Sequence, residues 1–81
     1  PNILFVGRFT EPRKGFKYLL RAMPLIHQQF PDARLTVVGA GKTEKVAGVM
    51  ERYRVAGVEF VGVVPPSELP RYYAACDVFC A

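Results

Sequence analysis

Four short apolar runs constrain this chain more than any other feature. They are Ile3-Leu4-Phe5-Val6, Leu35-Thr36-Val37-Val38, Val58-Glu59-Phe60-Val61 and Asp77-Val78-Phe79-Cys80. Each is rich in β-branched or aromatic residues and shows little alternation of polar and apolar positions. Strands buried on both faces read this way, and such strands belong to parallel sheets covered on either side by helices.

The segments between the runs carry a helical period. Phe16, Leu19, Leu20, Met23, Ile26 and Phe30 recur at spacings that make one apolar stripe. Pro24 falls inside it and removes a backbone hydrogen bond, so a kink is expected. Pro31-Asp32 supplies the stop. In the next segment Thr43 is the expected N-cap, with Glu44 in the first turn. Val46, Val49, Met50 and Tyr53 share a face, Gly48 weakens the helix, and Gly57 fits just past its end. In the third segment Ser67 is the expected cap of a short helix running through Cys76. Pro70 is tolerated near its start, where amides have no helical partner. The predicted order is β-α-β-α-β-α-β, an α/β fold with right-handed crossovers.

Size and composition narrow the class. Eighty-one residues hold one domain at most. A chain that is 51% hydrophobic and 22% charged is a folding chain, not a disordered one. No apolar run approaches the roughly 20 residues of a membrane-spanning helix. No leader peptide, internal repeat or linker is visible. The chain opens on Pro1 without an initiating Met and ends on an apolar run, which predicts a fragment. Cys76, Cys80 and the single His27 fall short of a four-ligand zinc site, so no metal is expected. The cysteines read as reduced, small buried residues. His27 reads as a boundary residue, Tyr72 and Tyr73 as packing of the short helix, and Asp77 as a turn or cap.

Open α/β sheets bind ligands beyond the carboxyl ends of their strands. Attention therefore falls on residues 7–15, 39–42 and 62–66. Gly39-Ala40-Gly41-Lys42-Thr43 invites a phosphate-loop reading. That loop needs a glycine five positions before its Gly-Lys pair, and Thr36 stands there, inside the strand. A dinucleotide fingerprint fails as well, because its third glycine would be Glu44. Gly39 and Gly41 remain as either a tight turn or a place where backbone nears a ligand.

The first loop is more specific. The net charge of +4, from 11 basic and 7 acidic residues, is concentrated at Arg8, Arg13, Lys14, Lys17 and Arg21, with Glu11 among them. Such a field suits an anionic partner. Arg8 leaves the first strand directly, and Lys14 stands beside the start of the following helix. Arg offers a planar fork for phosphate oxygens and Lys a mobile point charge. Arg13 and Lys17 read as a solvated basic turn.

Val6-Gly7-Arg8-Phe9, followed by Glu11-Pro12-Arg13-Lys14-Gly15, resembles the start of the C-terminal donor-binding domain of retaining GT-B glycosyltransferases of family 4. The stretches LLRAMPLIHQQFPDARLTVVGAG, VEFVGVV and LPRYYAACDVFCA continue the resemblance along the whole chain. The Glu-Pro-Arg-Lys-Gly form looks most similar to phosphatidylinositol mannosyltransferases, which use GDP-mannose. The resemblance implies a partial Rossmann-like parallel sheet, with residues 1–81 as the N-terminal portion of a nucleotide-sugar-binding domain. It implies transfer of a sugar from a nucleoside-diphosphate donor to an acceptor with retention, without a cofactor or metal. By position, Gly7, Arg8 and Lys14 match the diphosphate-binding residues. Val64 matches the loop residue whose backbone contacts the nucleotide base, and Gly39 and Gly41 stay as the further candidates for backbone approach. The family's Glu-x7-Glu segment and its acceptor-binding N-terminal domain match nothing here. No residue of this chain is therefore expected to be catalytic, and the fragment alone is expected to be inactive. The implied location is the cytoplasm, with attachment at the inner face of the membrane left open.

Two other classes compete. A non-catalytic doubly wound binding module would want clustered carboxylates or a hydroxyl-rich first loop, and neither is present. Nucleic-acid binding through the basic cluster would want aromatics interleaved on a strand face, which are absent, so no nucleic-acid partner is expected.

Overall fold

The computed structural model describes residues 1–11 and 15–80. The strands are β1 (Asn2–Val6), β2 (Arg34–Val38), β3 (Val58–Gly62) and β4 (Val78–Cys80). The helices are α1 (Phe16–Gln29), α2 (Glu44–Arg52) and α3 (Leu69–Ala75), with a 3-10 turn, Pro66–Glu68, leading into α3. All pairings are parallel, and the sheet order is β3-β2-β1-β4. β1 pairs with β2 in unbroken register from Asn2↔Arg34 to Val6↔Val38. At the end of β3 the register slips. Val37 faces Phe60 but Val38 faces Gly62, so Val61 is an inserted residue.

The core lies between the sheet and the α1–α2 layer. Ile3, Phe5, Leu35 and Val37 point from the sheet into a cluster with Phe16, Leu20 and Met23 of α1 and Val46 of α2. Burial of a side chain of this size contributes about 1.5–3 kcal/mol. Four phenylalanine rings knit the cluster near the carboxyl ends of the strands. Phe16 lies 4.8 Å from Phe5, 5.4 Å from Phe9 and 6.2 Å from Phe60, centroid to centroid.

The predicted stripe on α1 holds for Phe16, Leu20 and Met23, which are buried, and for Leu19 and Ile26, which pack against the core. Phe30 does not belong to it. The helix ends at Gln29, and Phe30 lies beyond it, 52% exposed. The helix runs unbroken through Pro24.

Three expected caps take other forms. Thr43 stands at the N-cap of α2, but its backbone is already helical and its side chain makes no capping bond. Ser67 lies inside the 3-10 turn, again without a capping bond. The end of α2 is closed not by Gly57 but by Arg54, which takes the left-handed conformation (φ 53°). The Val55 amide donates to the Met50 carbonyl (2.8 Å) and the Arg54 amide to the Glu51 carbonyl (3.3 Å). That pair of bonds is a Schellman closure, which satisfies the last free carbonyls. Gly57 instead sits against the Ala33 carbonyl and the His27 ring. The His27 ring donates from Nε2 to the Ala33 carbonyl at 2.8 Å, tying α1 to the turn before β2.

The opposite face is less covered than a doubly buried sheet requires. α3 crosses it near β1, leaving a cavity of about 510 Å³ lined by Leu4, Thr36, Glu59, Tyr72 and Cys76 among others. On β4, Val78 and Phe79 stay half exposed, at 51% and 47%. Cys76 and Cys80 are half-buried free thiols rather than fully buried ones, and Cys80 packs against the core cluster. Asp77 anchors the entry to β4. Its carboxylate accepts from the Asn2 amide and its own amide donates to the Asn2 carbonyl, both at 2.7 Å.

Candidate functional site

The chain steps outward from β1 to β2 to β3, then returns to place β4 on the other side of β1. α1 and α2 contact each other over one face, while α3 lies against the other. The strand order therefore reverses at β1, and the carboxyl end of β1 is where an open α/β sheet leaves a crevice.

Backbone bonds stitch the loops together at that edge. The Gly7 amide donates to the Val38 carbonyl (2.9 Å), the Phe9 amide to the Ala40 carbonyl (3.3 Å), and the Gly39 amide to the Gly62 carbonyl (2.8 Å). The strand-ending glycines of β1, β2 and β3 thus follow one another across the sheet. At Gly39 φ is 143°, and a Cβ would collide with the Gly7 carbonyl group. At Gly41 a Cβ would lie 2.6 Å from the Phe9 ring. Internal packing accounts for both glycines.

Phe9 is the residue that sequence reasoning missed. It is 3% exposed, and its ring lies 5.1 Å from Phe60 as well as close to Phe16. It plugs the first loop into the core from above. The signal was a lone phenylalanine between Arg8 and Thr10 in an otherwise polar turn. With Phe9 turned inward, its neighbour Arg8 is left exposed. The turn closes when the Glu11 amide donates to the Arg8 carbonyl at 3.1 Å. Among the described residues, none forms a hydrogen bond or ion pair with the Arg8 guanidinium.

α1 begins on the far side of this loop. Gly15 holds the left-handed conformation (φ 68°), and its carbonyl accepts from the Tyr18 and Leu19 amides. No side chain caps the helix, and no acidic residue stands in its first turn. No carboxylate within that turn offsets the positive end of the helix. Val64 lies half-buried two residues beyond the slipped end of β3. Gly7, Gly39 and Gly41 share one packed cluster through Phe9, and Arg8 adjoins it. Val64 is not bonded to that cluster, and Lys14 lies outside the described residues. Among the described residues no cluster of three metal-ligating side chains occurs, and no helix is long and apolar enough to cross a membrane.

An edge where Arg8 has no partner among the described residues, beside a helix start without a side-chain cap, can present one guanidinium and the first amides of α1 to an anion. Comparison with known proteins is in keeping with such chemistry. Phosphatidyl-myo-inositol mannosyltransferase of Mycobacterium tuberculosis is 39% identical over 80 residues, covering 99% of this chain and 21% of that protein. The protein of the same name from Propionibacterium freudenreichii is 35% identical, covering 100% of this chain and 19% of its own length. GDP-mannose-dependent alpha-(1-6)-phosphatidylinositol monomannoside mannosyltransferase of Mycolicibacterium smegmatis is 39% identical, covering 98% and 21%. This chain spans about a fifth of the length of these curated relatives. The family model described as glycosyl transferases group 1 matches residues 1–81, from end to end, and the chain belongs to that family.

Proposed function

We propose that this chain contributes the donor-diphosphate edge of a glycosyltransferase that moves a sugar from a nucleoside diphosphate to an acceptor with retention. The observation that supports it is the carboxyl end of β1. There an exposed Arg8 without a described side-chain partner stands beside the stitched Gly7–Gly39 backbone, in a chain of the glycosyl transferases group 1 family. In this reading the Arg8 guanidinium grips the diphosphate oxygens, and Gly7 lets the backbone come close. Lys14 supplies a second positive charge as the leaving group departs. Val64, Gly39 and Gly41 offer backbone to the nucleotide. The transferred sugar is mannose and the base guanine, a choice supported by the similarity to the GDP-mannose-dependent relative of Mycolicibacterium smegmatis. The acceptor is held by a part of the protein outside this chain, and the protein works in the cytoplasm without a resident cofactor.

The test is donor binding by the intact protein. Arg8→Ala weakens nucleoside-diphosphate-sugar binding by about 1.5–3 kcal/mol, the loss of a charge-assisted phosphate contact. Donor affinity unchanged in both Arg8→Ala and Lys14→Ala removes the phosphate assignment.

A further inference from the structure

A second basic region adjoins the first loop, in the groove between α1 and α2. The groove encloses about 580 Å³. Lys17 and Arg21 line it from α1, Lys45 and Arg52 from α2, and Glu11 at one end is the lone acid among its lining residues. All four cations are exposed. Among the described residues the one ion pair is Arg71 with Glu68, so no described carboxylate stands within 4.0 Å of any of the four.

The placement of the two arginines is the informative part. The Arg21 guanidinium sits 5.2 Å from the centre of the Tyr53 ring and 6.0 Å from that of Tyr18. The Arg52 guanidinium sits 5.8 Å from the same Tyr53 ring. Two guanidiniums from different helices therefore converge on one tyrosine. Like charges so placed repel, and the ring's negative face offsets only part of that cost. A guanidinium kept beside a ring loses less freedom when it meets an oxyanion. Two forks and two ammonium groups, with no described carboxylate paired to them, match the several oxygens of a phosphate-bearing group.

We propose that the α1–α2 groove is a second binding site, for a ligand that presents a phosphate or diphosphate, with Arg21 and Arg52 as its principal contacts. It does not rest on the donor reading of the glycine edge. The phosphate can come from a soluble molecule or from a lipid headgroup, and the experiment separates the two. Binding of inorganic pyrophosphate, and of vesicles of phosphatidylglycerol against phosphatidylcholine, is measured in the intact protein carrying Arg8→Ala. That background removes the contribution of Arg8 at the other edge. Adding Arg21→Gln and Arg52→Gln is expected to weaken binding at least tenfold. The loss falls on pyrophosphate if the source is soluble, and on phosphatidylglycerol vesicles alone if it is lipid. If the double variant fails to fold, Lys17→Gln with Lys45→Gln leaves both arginines in place and should weaken the same binding at least threefold. Unchanged binding of both probes overturns the proposal. So does groove-dependent binding of a duplex oligonucleotide that is tighter than that of either probe, which would make the groove a nucleic-acid surface.

Discussion

Single residues in this chain do jobs that their chemistry alone leaves ambiguous. Gly39 reads in sequence as either a turn or a ligand contact. In the fold it is glycine because the Gly7 backbone occupies the space of any side chain. Gly39→Ala is expected to cost about 3 kcal/mol or more, combining a strained φ with a backbone collision. Gly48 is the opposite case. It lies exposed inside α2 with nothing within 4 Å of an added Cβ. Gly48→Ala should therefore stabilise by about 0.5–1 kcal/mol, the usual gain of alanine over glycine in a helix. Arg54 is a side-chain-bearing residue in the left-handed position of a Schellman closure. Arg54→Gly should stabilise by about 0.5–1 kcal/mol through relief of that conformation. Urea unfolding of the three variants checks all of these. A stable Gly39→Ala protein would contradict the packing described for the strand ends.

At the scale of elements, the loop after β1 is held from both sides. Backbone bonds tie it to the loop after β2, and Phe9 fastens it to the core through Phe16 and Phe60. Phe9→Ala should cost about 3–5 kcal/mol, the range for a fully buried phenylalanine. Leu25→Ala on the exposed side of α1, where Leu25 is 65% exposed, should stay within about 0.5 kcal/mol. Equal costs, read from thermal unfolding midpoints, would show that Phe9 is not part of the core. These elements also mark how far the sequence could be read. Apolar runs placed the strands and helical spacing the first two helices, because the run from Ile3 to Val6 and the stripe from Phe16 to Ile26 pack as their patterns imply. The same patterns misjudged the ends. Phe30 has the right spacing but the chain has already turned. Thr43 and Ser67 have the right chemistry for a cap, but their backbones are already helical. Gly57 has the right identity, but Arg54 meets the geometry first. The slip at Val61 and the inward turn of Phe9 depend on contacts between distant segments, which no local pattern encodes. For the candidate site, Gly7, Arg8, Gly39 and Gly41 were legible as an edge because the strand ends were legible. Lys14 falls outside the described residues.

The whole molecule explains why that edge matters. Strand order β3-β2-β1-β4 puts β1 inside the sheet and makes it the point where the chain changes direction. α1 and α2 cover one face, α3 part of the other, and residues 7–11 and 39–43 leave the sheet at the same end. A diphosphate at that end would meet Arg8 and the loop backbone together, whereas a ligand in the α1–α2 groove would meet Arg21 and Arg52. The two sites share the first loop, yet their principal cations differ. Amide hydrogen exchange on the intact protein, with and without a nucleoside-diphosphate sugar, tests the central claim most directly. The account predicts slower exchange on donor binding in peptides covering residues 7–11 and 39–42, and no such change in the Arg8→Ala variant. Donor binding that leaves both peptides unchanged would contradict it.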